Sequence, residues 1–270
     1  MSQIHLTPAR RGLALAGAAL VAATWLYLVI ARPTDWESVG GSGPALITLA
    51  GYVAGAALLL AATLPALPAR TIAVIPVALV LNIVIGQVVG AVGVPLYLDS
   101  VGTVLVAALA GPVAGLATGT LSSVVWGLLN PAALPFAAVA GATGWLAGWF
   151  IRAGAFRRIW RLVVSGLLLG LICGALAAPV AAFVYGGTAG VGTGAIVSLF
   201  RELGNSLIGS VTMQSFISDP LDKLLVMVIV FAALKALPKK TLRSFRAGGG
   251  PQPAGEPAGE YATAESGERV

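Results

Sequence analysis

Gly102–Leu129 reads GTVLVAALAGPVAGLATGTLSSVVWGLL, 28 residues without a charge. A helix crosses the hydrocarbon core of a bilayer in about 20 apolar residues. The stretch is therefore too long for one upright crossing, and Gly111-Pro112 breaks it. Glycine ends helices and proline starts them well, so this pair divides the run into two short helices unless it lies inside one long tilted helix. Charge on either side decides. Arg152, Arg157, Arg158 and Arg161 form one purely basic cluster; Lys235, Lys239, Lys240, Arg243 and Arg246 form another. Basic residues flanking membrane helices stay in the cytoplasm, and Arg10 and Arg11 belong with them. Counting from a cytoplasmic N-terminus, Leu13–Ala31 exits into a loop with Asp35 and Glu37, Ala45–Thr63 returns to Arg70, and Thr71–Gly93 exits to Pro95–Asp99. One crossing over Gly102–Leu129 would leave the four-arginine loop outside. Two crossings put it inside, with Gly186–Gly194 outside and the lysine-rich tail inside. Parity favours eight crossings, two of them short, with Leu134–Ile151, Leu162–Tyr185 and Leu221–Leu237 completing the set.

Composition agrees. Of 270 residues, 58% are hydrophobic and 10% charged, the net charge is +6, and 35 are glycine. Mean hydropathy is +0.94. A soluble domain carries roughly a quarter charged residues, so the fold class is an all-α integral membrane protein. One cysteine (Cys173) excludes an internal disulfide, and one histidine (His5) excludes His-based metal sites and a Ser-His-Asp triad. The phosphate-cradling G-x-x-x-x-G-K-[ST] pattern is absent. No cofactor is indicated, and no paired carboxylates or Ser-Lys pair points to an enzyme.

Arg10-Arg11 followed by Leu13–Ala31 resembles a signal sequence. Its apolar core exceeds the usual 7–15 residues, and Val29-Ile30-Ala31 matches a cleavage site only loosely, so a retained signal-anchor helix is expected. The organisation is then residues 1–12 as a cytoplasmic N-terminus, 13–66 as two transmembrane helices, 67–240 as a six-helix membrane unit and 241–270 as a disordered cytoplasmic tail rich in Gly, Pro, Ala and Glu.

Glycines recur every fourth residue at Gly111, Gly115 and Gly119, at Gly144 and Gly148, and at Gly166, Gly170 and Gly174. Each set makes a groove on one helix face. Internal packing is the first reading for each; three sets leave room for one that docks another subunit. Intramembrane polar residues are few. Asn82 and Gln87, about 140° apart round their helix, meet either a neighbouring helix or a ligand. Asp99 is read first as a cap region for the next helix, second as a ligand contact at an outer mouth, with Tyr97 beside it as a stacking ring or interfacial anchor. Trp126 and Asn130 end one helix and Trp145 and Trp149 sit in the next; belt anchoring is the plainer role for the tryptophans. Tyr185–Gly194 is glycine-rich and uncharged, and a lid over an outward site suits it better than a phosphate loop. Ala195–Gln214 is read as interfacial or re-entrant, with Arg201, Asn205 and Gly209 on one face and Asn205 and Gln214 as candidates to bind a polar solute. Asp219 reads as an N-cap with Pro220 at the first helical position, and Asp222 and Lys223 as a pair.

Pro95-Leu96-Tyr97-Leu98-Asp99-Ser100-Val101-Gly102-Thr103, then Gly111-Pro112 and Gly115, Tyr185-Gly186-Gly187 with Gly192-Thr193, and Asp222-Lys223 to Leu237-Pro238-Lys239-Lys240 resemble, in order and spacing, the substrate-binding S components of energy-coupling factor (ECF) transporters. The likeness runs from Thr71 to Lys240. It implies a six-helix bundle, here preceded by two extra transmembrane helices, in a bacterial plasma membrane with both termini cytoplasmic. It also implies capture of a vitamin-like micronutrient near the outer face, with a transmembrane coupling (T) subunit and two cytoplasmic ATPases as partners. Small-residue faces on the first helices dock the coupling subunit in that family. Ala69 and Ala73 match marginally, so Gly111, Gly115 and Gly119, or Gly86 and Gly90, are the other docking candidates.

The expectation is thus a solute-capture subunit without its own ATPase and without nucleic-acid binding. Its pocket would draw on Asn82, Gln87, Tyr97, Asp99, Trp126, Asn130, Asn205 and Gln214, and the mostly neutral set favours an uncharged or weakly charged heterocycle. The basic loop Arg152–Arg161 would attract anionic lipid at roughly 1 kcal/mol per residue. The alternative is a stand-alone ion-coupled secondary transporter, which needs a titratable group near the midplane. Asp99 and Asp219, expected at helix ends, count against it.

Overall fold

The computed structural model describes residues 6–32, 42–187, 190–238 and Phe245. The loop with Asp35 and Glu37, Thr188 and Ala189 of the glycine-rich segment, the basic residues Lys239, Lys240, Arg243 and Arg246, and the tail from Gly248 lie outside them. The described residues are helical throughout, without a strand. The helices are α1 (Pro8–Ala31), α2 (Gly43–Thr63), α3 (Ala69–Val92), α4 (Val101–Ala110), α5 (Pro112–Leu129), α6 (Ala137–Arg152), α7 (Ile159–Tyr185), α8 (Val191–Glu202) and α9 (Leu207–Ala236). Short 3₁₀ turns join α2 to α3, α5 to α6 and α6 to α7. Six helices are long and apolar enough to cross a membrane: α1, α2, α3, α5, α6 and α7, some with their adjoining turns. Of the eight expected crossings, α4 and α9 remain. Ten residues make α4 about 15 Å long, half the hydrocarbon thickness, and α9 carries charges in its middle.

The chain does break at Gly111-Pro112. Gly111 has φ +96°, a conformation that costs a side chain dearly, and Pro112 opens α5 with the φ its ring already fixes. Nine of the ten α4 residues are buried, from Val101 to Ala110 with Leu105 the exception. It packs against α3, α5, α6 and α9 rather than lipid.

All three glycine stripes serve packing between helices of this chain. A Cβ at Gly115 would meet the Gly144 carbonyl, and one at Gly119 the Ala140 carbonyl. Gly148 lies on Pro112, so α5 and α6 touch backbone to backbone. Gly111 faces the Arg152 guanidinium. The Gly111, Gly115 and Gly119 face, a candidate for docking a partner, is thus filled by α6, and internal packing, the first reading for it, is the one realised. Gly166, Gly170 and Gly174 lie against Leu224, Asp219-Pro220 and Ser215 of α9. Ala69 and Ala73 remain exposed on α3, whose outer face also shows Val77, Val80, Val84 and Val88.

The hairpin of α1 and α2 closes on Gly17 and Gly55, each against the other's carbonyl. It then docks on the later helices. Trp25 Nε1 donates to the Leu176 carbonyl at 3.1 Å, and the fully buried Tyr52 hydroxyl donates to the Pro135 carbonyl at 3.4 Å.

One expected helix start and one expected segment are corrected. Ser206, not Asp219, caps the last helix: its Oγ accepts from Gly209 N at 3.2 Å. The helix then runs through Pro220, forgoing one backbone hydrogen bond where the close approach of α7 holds it. Ala195–Gln214 is not one segment, because Gly204 at φ +89° separates α8 from α9. Arg201, Asn205 and Gly209 share no helix face.

Candidate functional site: a polar cavity at one end of the bundle

Helices α3, α5 and α7 end, and α4, α6 and α8 begin, around a cavity of about 200 Å³ that also meets the first half of α9. At about 30 Å³ per molecule, that is the space of six or seven waters. The opposite helix ends carry Arg70, Arg157, Arg158, Arg161 and Lys235. Gln87, Tyr97, Asp99, Trp126, Asn130 and Gln214 line the cavity, six of the eight expected residues.

Asn82 does not. It is fully buried and fastens three helices: Nδ2 donates to Thr103 Oγ1 at 2.8 Å and to Ser122 Oγ at 3.1 Å, while Oδ1 accepts from Gly102 N at 2.7 Å. Of the two readings open for it, packing against neighbouring helices is the one realised. Asn205 is also absent from the cavity. Its Nδ2 donates to the Phe200 carbonyl at 3.1 Å and satisfies the end of α8. Trp145 and Trp149 lie on the exposed face of α6, edge to face at 6.3 Å, as anchors would.

Asp99 is not a cap. Ser100 precedes α4, and Asp99 instead faces Lys223 of α9 with Oδ1 3.5 Å from Nζ. The same ammonium holds Asp222 Oδ2 at 2.6 Å, so the expected pairing of Asp222 and Lys223 is present. Asp222 does more. Its Oδ1 accepts from Tyr97 N at 2.8 Å and Leu98 N at 2.7 Å, clamping the loop between α3 and α4 onto α9. Leu98 sits there at φ +49°, a left-handed conformation rare for leucine, which that clamp sustains. Removal from bulk water pushes the Asp99 carboxyl above the ordinary carboxylate range, with Lys223 opposing the rise and Asp222 adding to it. Burial likewise raises the Tyr97 hydroxyl, which lies beside Thr193 and Gln214.

Sequence reasoning missed Asp219 and Lys223, which also line the cavity. The signal was available: three charges within five residues, in an otherwise apolar neighbourhood, mark a site as readily as a helix start. Four buried polar atoms on residues that line the cavity have no hydrogen-bond partner among the described residues. They are Trp126 Nε1, Gln214 Nε2, Ser100 Oγ and Asp219 Oδ2. Buried polar groups are nearly always paired, so such a set is what a solute with matching donors and acceptors would complete.

Helices and cavity together define a multi-pass, all-helical membrane protein with a small polar chamber at one end. No protein-family model, curated protein or solved structure matches the chain.

Proposed function

We propose that the protein is the solute-capturing subunit of an ATP-driven importer of the ECF type, taking a vitamin-like micronutrient from outside a bacterial cell. The observation that carries the reading is the chamber itself. It lies at the end of the bundle away from most of the basic helix termini, Arg32 and Arg201 excepted, and buried donors and acceptors on its lining residues lack partners among the described residues. By the distribution of basic residues that end faces outward, and both chain termini face the cytoplasm of the plasma membrane. The sequence offers no phosphate cradle, so work would come from two ATPases through a transmembrane coupling subunit. Exposed Ala69, Ala73 and Gly90 on α3 are the docking candidates that stay free, whereas Gly86 is covered by Trp126 and Asp99. Purification in mild detergent tests this: native mass spectrometry is expected to find a bound small molecule, and the coupling subunit and ATPases are expected to co-purify. A chain that comes without either overturns the reading.

One observation favours the ion-coupled alternative. Asp219 lies inside α9, not at its start, and beside Lys223 on the cavity wall. Such a group meets the requirement for a titratable residue within the membrane. Vesicles holding this chain alone distinguish the two. Uphill accumulation on a proton or sodium gradient selects the alternative; accumulation only with ATPase partners selects the importer.

A further inference from the structure

The carboxylates around the cavity outnumber the cations. Asp99, Asp219 and Asp222 surround one ammonium, Lys223. Asp222 is saturated by two backbone N–H groups and Lys223. Lys223 reaches Asp99 as its second carboxylate, at a longer distance. Asp219 is left over. It is 4% exposed, its Oδ2 has no partner, and it forms no ion pair among the described residues. Its backbone is held against α7 at Gly170, and its side chain lies near Gly174 of the same helix.

We infer that the solute carries a positively charged nitrogen, seated against Asp219 and Asp99, with a flat ring beside Trp126. The inference rests on the solute-capture reading and narrows it. An unpaired carboxylate out of water demands a compensating charge or a shift to its neutral form, and a cation supplies the charge only while bound. An anion would meet Asp219 and Asp99 while the one ammonium is already shared between two carboxylates. A neutral solute would leave Asp219 to be relieved by protonation alone. The rim of Trp126 and the Asp99 Cβ both close on Gly86, so an aromatic ring and a carboxylate stand together, a pairing that cation recognition uses. The N–H groups of Trp126 and Gln214, without a partner among the described residues, ask for an acceptor. The solute is therefore a small cationic heterocycle or arylamine that also carries a hydrogen-bond acceptor, of one or two rings for a chamber of about 200 Å³.

Thermal unfolding of the purified full chain in detergent at neutral pH, titrated with matched probes, tests this. The probes are benzamidine against benzamide, benzylamine against benzyl alcohol, and benzoate as the anion. The cationic member of each pair is expected to bind about tenfold tighter than its neutral partner. Asp219→Asn is expected to erase that preference and Asp219→Glu to retain it. If Asp219→Asn does not fold, Asp99→Asn is expected to reduce the preference in its place. Equal or better binding of the neutral or anionic probes overturns the cation inference and leaves the chamber a solute site. Failure of every probe to bind overturns both the inference and the chamber's assignment.

Discussion

Asp222 holds more of the site together than any other side chain. Its two oxygens take Lys223 and two backbone N–H groups of a loop more than a hundred residues away in sequence. Removing one partner of a buried charge pair costs roughly 3–5 kcal/mol, and here the left-handed Leu98 loses its clamp as well. Asp222→Ala is therefore expected to lower stability by about that amount in denaturant titrations and to weaken solute binding through the loosened loop. Asn205 behaves oppositely. It completes the end of α8 and points away from the cavity, so Asn205→Ala is expected to leave solute affinity unchanged while lowering stability by about 1 kcal/mol. Equilibrium binding set beside thermal unfolding separates the two effects. A fall in affinity would return Asn205 to the site.

Among the elements, the small-residue stripes decide how closely helices meet. Gly115 lies on the Gly144 carbonyl, so Gly115→Leu is expected to force α5 and α6 apart and abolish the monodisperse folded fraction in size-exclusion chromatography. A well-folded variant would show that α5 can shift to make room. The break between α4 and α5 was legible because its chemistry is local: a glycine that takes a positive φ and a proline that starts a helix stand side by side. The start of α9 was not. Asp219-Pro220-Leu221 carries every local mark of a helix N-terminus, yet the helix runs straight through it. What outweighs those marks is remote: the loop at Tyr97 and Leu98 binds Asp222, Asp99 faces Lys223, and Gly170 of α7 packs against the α9 backbone at Asp219-Pro220. Long-range satisfaction of charge has no periodicity, so the acidic side of the chamber was invisible while its amides and aromatics were picked out by their rarity in apolar sequence.

For the molecule as a whole, α1 and α2 form a buttress rather than a wall of the chamber. Among the described residues, none before Gly86 lines the cavity, while Leu28, Tyr52 and Leu59 share a buried cluster with Ala117, Val124, Leu134 and Val180. Deleting residues 1–66 is expected to lower the unfolding temperature and to leave the affinity of the remaining bundle for its solute within about twofold, a change near 0.4 kcal/mol. Loss of binding by a folded truncation would mean that the buttress shapes the chamber from behind.

The depth at which α4 lies also fixes an order of events during synthesis. Ten residues are too few to be inserted as an independent span, and three of the four helices that enclose α4 (α5, α6 and α9) leave the ribosome after it. A nascent chain that has reached only Leu129 can shelter α4 against α3 and α5 alone. The interior of the bundle is thus assembled late, when α9 brings its ammonium down beside a segment that has been waiting in the bilayer for its last neighbour.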